Sequence, residues 1–133
     1  MNVAQLWITG SEADLAKLCD LLALEPDSSW RKGDKMRNGK VHKDDGVGVS
    51  IADASTPREL VEEIRSFVSR CADSDINFKK LALAANLSLG YTVGDSEQFA
   101  ACIEFTDQDL GQLAQLGVSL SVWAYPTSDA DNE

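Results

Sequence analysis

Nowhere in the 133 residues is there an apolar run of the ~18 residues a membrane span needs, and no basic start leads into an apolar stretch as a secretion signal would. Clusters such as 21–24 suit core elements only. A soluble, cytoplasmic chain is therefore expected. Histidine occurs once, as His42, whereas metal sites draw on three or four converging ligands, so no metal is expected. The cysteines, Cys19, Cys71 and Cys102, are odd in number and too widely spaced for a zinc or redox motif. They read as small buried hydrophobes in a reducing compartment. Phosphate loops and nucleophile elbows are missing, and Gly46-Val47-Gly48 lacks the third glycine and following helix of a dinucleotide fingerprint. Nothing here asks for a cofactor.

What remains is ordinary globular material, 44% hydrophobic and 26% charged, which argues against wholesale disorder. The length suits a single domain, placed at residues 1–126, with an acidic tail over 127–133. The net charge of −10 is unevenly spread. Arg31, Lys32, Lys35, Arg37, Lys40 and Lys43 face only Asp34 within 31–43, a net of +5, which leaves −15 for the rest. An acidic body repels nucleic acid and anionic membranes and attracts basic protein surfaces. Solubility alone also accounts for such a charge.

Alternation predicts a first strand over 3–9, with Ala4, Leu6 and Ile8 opposite Gln5, Trp7 and Thr9. Ser11 and Asp14 imitate a capping box, and Leu15, Leu18, Cys19 and Leu22 follow at helical spacing up to Pro26. The polar stretch 27–45 suggests two short extended pieces joined near Asn38-Gly39, a pair that suits a tight turn. Val47, Val49 and Ile51 mark a clearer strand. Thr56-Pro57-Arg58-Glu59 is the strongest local signal: cap, first-turn proline and closing glutamate ahead of an apolar stripe of Leu60, Ile64, Phe67, Val68 and Cys71. A break at 73–75 and a second helical piece over 76–85 are expected next. Strands follow over 87–93 and 99–105, then a helix capped by Thr106 and stopped by Gly117, and a last strand carrying Leu120, Val122 and Ala124. The spacing of Ile8, Ser11, Asp14, Leu15 and Leu18 recurs in Ile103, Thr106, Asp109, Leu110 and Leu113, an echo that shared strand-to-helix grammar also explains. The fold class expected is α+β: a mostly antiparallel sheet with helices on one face, in the order β-α-β-β-α-β-β-α-β.

Three groups of residues invite a functional reading. His42 with Asp44 and Asp45 has the composition of a general base or metal site, but a solvated loop explains it as well and Lys43 would repel a cation. Trp30 with Arg31, Lys32, Asp34, Arg37 and the neighbouring cations has the composition of an anion clasp, phosphates held by charge and a base stacked on indole. A basic flap lying on the acidic helices is the competing explanation, and Trp30 has a second role open to it as the loop's anchor in the core. Trp7, Trp123 and Tyr125 alternate with the aliphatic face of the first and last strands. They form one aromatic patch if those strands are neighbours, or ordinary core if the sheet is covered on both sides. Glu59, Glu62 and Glu63, with Glu104, Asp107 and Asp109, stabilise helix starts and would steer a cationic partner.

The run Ser29-Trp30-Arg31-Lys32-Gly33-Asp34 follows a leucine-rich first helix ending in Leu22-Ala23-Leu24-Glu25-Pro26. With a long central helix, and a closing strand after Leu113 to Gly117, it resembles an uncharacterised bacterial family, domain of unknown function 4279. The resemblance extends along nearly the whole chain and implies no catalytic residues. Small proteins of this kind are suspected immunity partners of bacterial toxins. Together with acidity, size and absent motifs, this makes a non-enzymatic inhibitor that binds a cationic toxin domain the leading expectation. A nucleotide- or nucleic-acid-binding module built on 31–43 is the alternative.

Overall fold

A computed structural model describes residues 1–128; most of the expected acidic tail, 129–133, lies outside the described residues. Its elements are β1 (Asn2–Gly10), α1 (Glu12–Leu22), β2 (Ser28–Trp30), β3 (Asp45–Asp53), α2 (Pro57–Asp73), β4 (Ala84–Val93), α3 (Asp107–Leu116) and β5 (Val118–Pro126). The strands form one five-stranded sheet in the order β2-β3-β1-β4-β5. All neighbours are antiparallel except β4 and β5, which are parallel. The α+β class and the mostly antiparallel sheet are as expected, with one strand fewer.

Alternation decides which face is buried. Ala4, Leu6 and Ile8 of β1, Val47 and Val49 of β3, and Leu87 and Leu89 of β4 lie in one core with the buried stripes of all three helices. Leu6, Leu18, Leu60 and Leu89 are wholly excluded from water, each such side chain contributing about 1.5–3 kcal/mol. Trp7 on β1 and Trp123 on β5 stand on the opposite face and remain exposed. The helices thus cover one side of the sheet only.

The helix starts follow the local chemistry. Ser11 Oγ accepts from the Asp14 backbone N–H at 3.2 Å, and Thr56 Oγ1 from that of Glu59 at 3.1 Å behind Pro57 in the first turn. Glu59 reaches past its cap to accept from the Ser55 N–H. At α3 the box is complete in both directions between Thr106 and Asp109. Each side chain satisfies an N–H with no partner inside its helix.

Two expected elements do not form. Over 76–83 the apolar residues Ile76, Phe78 and Leu83 are buried, but through turns: Asp75 and Ala82 adopt left-handed φ of 53° and 59°, which end any helix. The 99–105 strand is absent although its alternation is real, for Ile103 and Phe105 pack against the core while Phe99 is exposed. The parallel β4–β5 pair supplies the reason. A parallel neighbour demands a crossover back along the full length of β4, and that strand is 10 residues long, roughly 33 Å. The 10-residue α3 spans only about 15 Å. An extended 99–105 covers the remainder, and β5 holds the edge it would otherwise have paired with. The echo between Ile8–Leu18 and Ile103–Leu113 therefore reduces to a cap and a helix, and Leu110 is exposed where Leu15 is buried.

Candidate functional site

On the open face of the sheet, β3 contributes no side chain at two successive outward positions, Gly46 and Gly48. Trp30 lies over Gly46 and Trp7 over Gly48, in each case where a Cβ would stand. The Gly-Val-Gly that falls short of a dinucleotide fingerprint is thus the floor for two indoles. Their ring centroids are 6.0 Å apart, and the His42 imidazole also stacks on Trp30 at 4.8 Å, inclined by 23°. Trp30 Nε1 is buried and has no hydrogen-bond partner among the described residues, a cost of about 1–3 kcal/mol that the stacking must offset. Trp30 is the loop's anchor, set on the open face rather than in the core between sheet and helices.

The basic segment is a compact hairpin outside the sheet. Lys35 and Val41 form an isolated bridge, Met36 N–H donates to Lys40 C=O at 2.7 Å, and Gly39 turns the chain with φ of 84°. The chain thus turns near Asn38-Gly39 as expected, but with Arg37 and Asn38 at the centre of the turn and only Gly39 left-handed. The carboxylates here serve the backbone: Asp34 accepts from the Arg31 N–H and Asp45 from the Lys32 N–H, both at 2.8 Å. His42 takes part through its own backbone, bonding Gly33 and Asp34, and its ring faces Trp30. Among the described residues no group of three or more His, Cys, Asp or Glu side chains is placed to hold a metal ion.

Arg31, Lys32, Lys35, Arg37, Lys40 and Lys43 are all exposed. Both ion pairs among the described residues belong to Arg65, so the flap does not lie paired against the acidic helices. Arg65 of α2 reaches Asp109 of α3 through Nε and Nη2, at 3.0 and 2.8 Å, and Glu62 through Nη1 at 3.3 Å. That guanidinium, with the Thr106 backbone N–H, holds the Asp109 carboxyl at about 2. Glu59, Glu62 and Glu63 are exposed on α2. Asp107 stands exposed at the start of α3.

The aromatic patch divides. Strands β1 and β5 are separated by β4, and the registers set Trp7 opposite Asn86 but Trp123 opposite Gly90. That offset places Trp7 roughly 16 Å from Trp123, across a floor that includes Gln5, Ser88 and Ser121. Trp123 and Tyr125 are 56% and 48% exposed, and Tyr125 leans over Gly90 beside Val3 and Met1.

The recesses on the helical side, among the described residues, include two that touch the residues singled out above. One, of about 300 Å³, runs between α1 and the β2 edge and is lined by Leu15, Ala16, Cys19, Pro26, Trp30 and Val47. The other, about 410 Å³, lies between α2 and the crossover and is lined with both signs of charge, Arg58 and Arg65 against Glu62 and Glu104.

Sequence reasoning missed the glycine floor and a part-buried amide pair. Asn2, 1% exposed, exchanges hydrogen bonds of 3.0 Å with Gln98 in both directions and thereby ties the crossover to the start of β1. Alternate glycines on a strand beside two tryptophans were the available signal for the first. No local signal marks the second.

No curated protein and no solved structure matches this chain. The family described as domain of unknown function 4279 (DUF4279) matches residues 1–127, and the chain belongs to it.

Proposed function

We propose that this chain is a non-enzymatic protein-binding domain, an immunity-type inhibitor that covers the basic active site of a bacterial toxin. The observation that carries this reading is the acidic helical layer. Outside the hairpin the chain bears a net −15, and Glu59, Glu62, Glu63 and Asp107 stand exposed along the starts of α2 and α3. Such a surface steers a cationic partner and fixes its orientation. All three cysteines are free, which supports a place in a reducing bacterial cytoplasm. The test is copurification of the tagged chain from its native host, followed by reversal of Glu62 and Glu63 to lysine. A single basic protein should be retained by the wild type and lost by the variant, with an on-rate that falls steeply as salt rises. Recovery of free protein alone counts against the reading.

The second reading, nucleic-acid binding by 31–43, draws support from six exposed cations that make no ion pair among the described residues. The enclosure of Trp30 between Gly46, Trp7 and His42 gives the indole little free face for a base. Fluorescence anisotropy with a labelled single-stranded oligonucleotide tests it. Arg31, Lys32 and Arg37 changed together to glutamate should abolish a salt-sensitive affinity, and a wild type with no such affinity removes the idea.

A further inference from the structure

The two edges of the sheet are treated very differently. At one end β2 is three residues long and is flanked at once by Arg31 and Lys32. Short edges and adjacent cations are the usual defence against strand-to-strand association. At the other end β5 has none of these devices. It is nine residues long, contains no charged residue, keeps its only proline for the last position, and pairs with β4 without a register shift. Among the described residues no further strand pairs with its outer side. Its side chains are exposed on both faces, with Val122 51%, Trp123 56% and Tyr125 48% accessible. An uncharged edge of this length is conspicuous in a chain whose net charge is −10.

We infer that β5 is a self-association edge, on which a second copy of this chain adds its own β5 antiparallel to make a continuous ten-stranded sheet. Charge points to a second copy as the occupant. Two bodies of net −10 repel wherever their acidic helices meet, and an uncharged strand is where they approach with no like charges opposed. The strand is also complementary to itself. Centred on Val122, a two-fold antiparallel register sets Val122 against Val122 and Leu120 against Ala124 on the helical face. On the open face the large Trp123 and Tyr125 fall opposite the small Ser121 and Ser119. Each half-exposed ring then meets a serine of the other copy, and no two rings collide. A two-fold pairing of this kind is closed, so it yields a dimer rather than a filament.

Light scattering on the purified full chain, over a range of concentrations, tests the inference. The wild type should show twice the 14.4 kDa chain mass. Val122→Lys should show the single-chain mass, with an unchanged circular dichroism spectrum because this side chain is half exposed. The register is read separately by mild oxidation in a Cys102→Ser background. Val122→Cys should cross-link into a covalent dimer, whereas Ser119→Cys, opposed by Tyr125, should not. A wild type of single-chain mass throughout, or a dimer indifferent to Val122→Lys, overturns the inference. So does a chain that is monomeric alone and accepts a strand only from a different protein.

Discussion

The indole of Trp30 lies directly on Gly46, so that a Cβ on Gly46 would overlap Cζ2 and Cε2 of the ring. An aromatic beside the basic run and a glycine of an incomplete dinucleotide fingerprint are one packing unit. The His42 imidazole stacks on the same indole.

Gly46→Ala should expel the indole and loosen the hairpin, at a cost of about 1–3 kcal/mol by denaturant titration, with tryptophan emission shifted to the red. Gly111 offers the contrast. It sits in α3 with nothing within 4 Å of a built Cβ, so Gly111→Ala should raise stability by about 0.5–1 kcal/mol. Equal effects at the two sites would contradict the packing assigned to Trp30.

Buried Asn2 and half-buried Gln98 satisfy one another's amides. Truncating Gln98 to alanine leaves a buried amide with fewer partners and should cost about 1–3 kcal/mol. Hydrogen exchange should then quicken across the crossover, 94–105, before it does in β1. Uniform acceleration throughout the chain would show that the pair has no local role.

Asp109 is held at about 2 by Arg65 and by the cap it makes with Thr106, below its ordinary 3.8. A carboxyl depressed in the folded state contributes stability that is present above the unfolded value and lost as pH falls through the folded one. Asp109→Asn should therefore lower stability by about 1 kcal/mol near neutral pH, a figure reduced for solvent screening. The gap to wild type should close between about pH 4 and pH 2. A gap that persists at pH 2 would mean that lost packing, and not charge, sets the difference.

The three thiols should separate by environment. Cys71 is fully buried, and burial raises its thiol to about 11; Cys19 is half-buried and raised in the same direction, while Cys102 is exposed. A thiol reagent at mildly alkaline pH should label Cys102 first and Cys71 only on unfolding. The elevated value of Cys71 also has a consequence for stability. Its contribution is complete below pH 9.0 and declines as pH rises towards 11. Early labelling of Cys71 in the native protein would refute the assigned core.

How far each feature could be read in advance depended on how far apart its determinants lie along the chain. Thr56-Pro57, Thr106 with Asp109, and Ser11 with Asp14 mark their helix starts because a cap acts within three residues of itself. The alternation in β1, β3 and β4 announced strands and their buried side because the pleat has a period of two. The uneven charge and the Asn38-Gly39 turn were equally local.

Alternation could not say whether an extended segment finds a partner. Residues 99–105 have the same period as β4, yet β5 takes the edge and leaves them as a crossover. Nor could it say that β4 would stand between Trp7 and Trp123, or that Gly46 would lie beneath Trp30. By itself, then, the amino-acid order determined the helix starts, the extended runs and the inward face of each. Strand order, the open face, the amide pair and the uncharged edge were decided by tertiary structure. Their energies come from side chains tens of residues apart, which meet only when the whole sheet closes on its core.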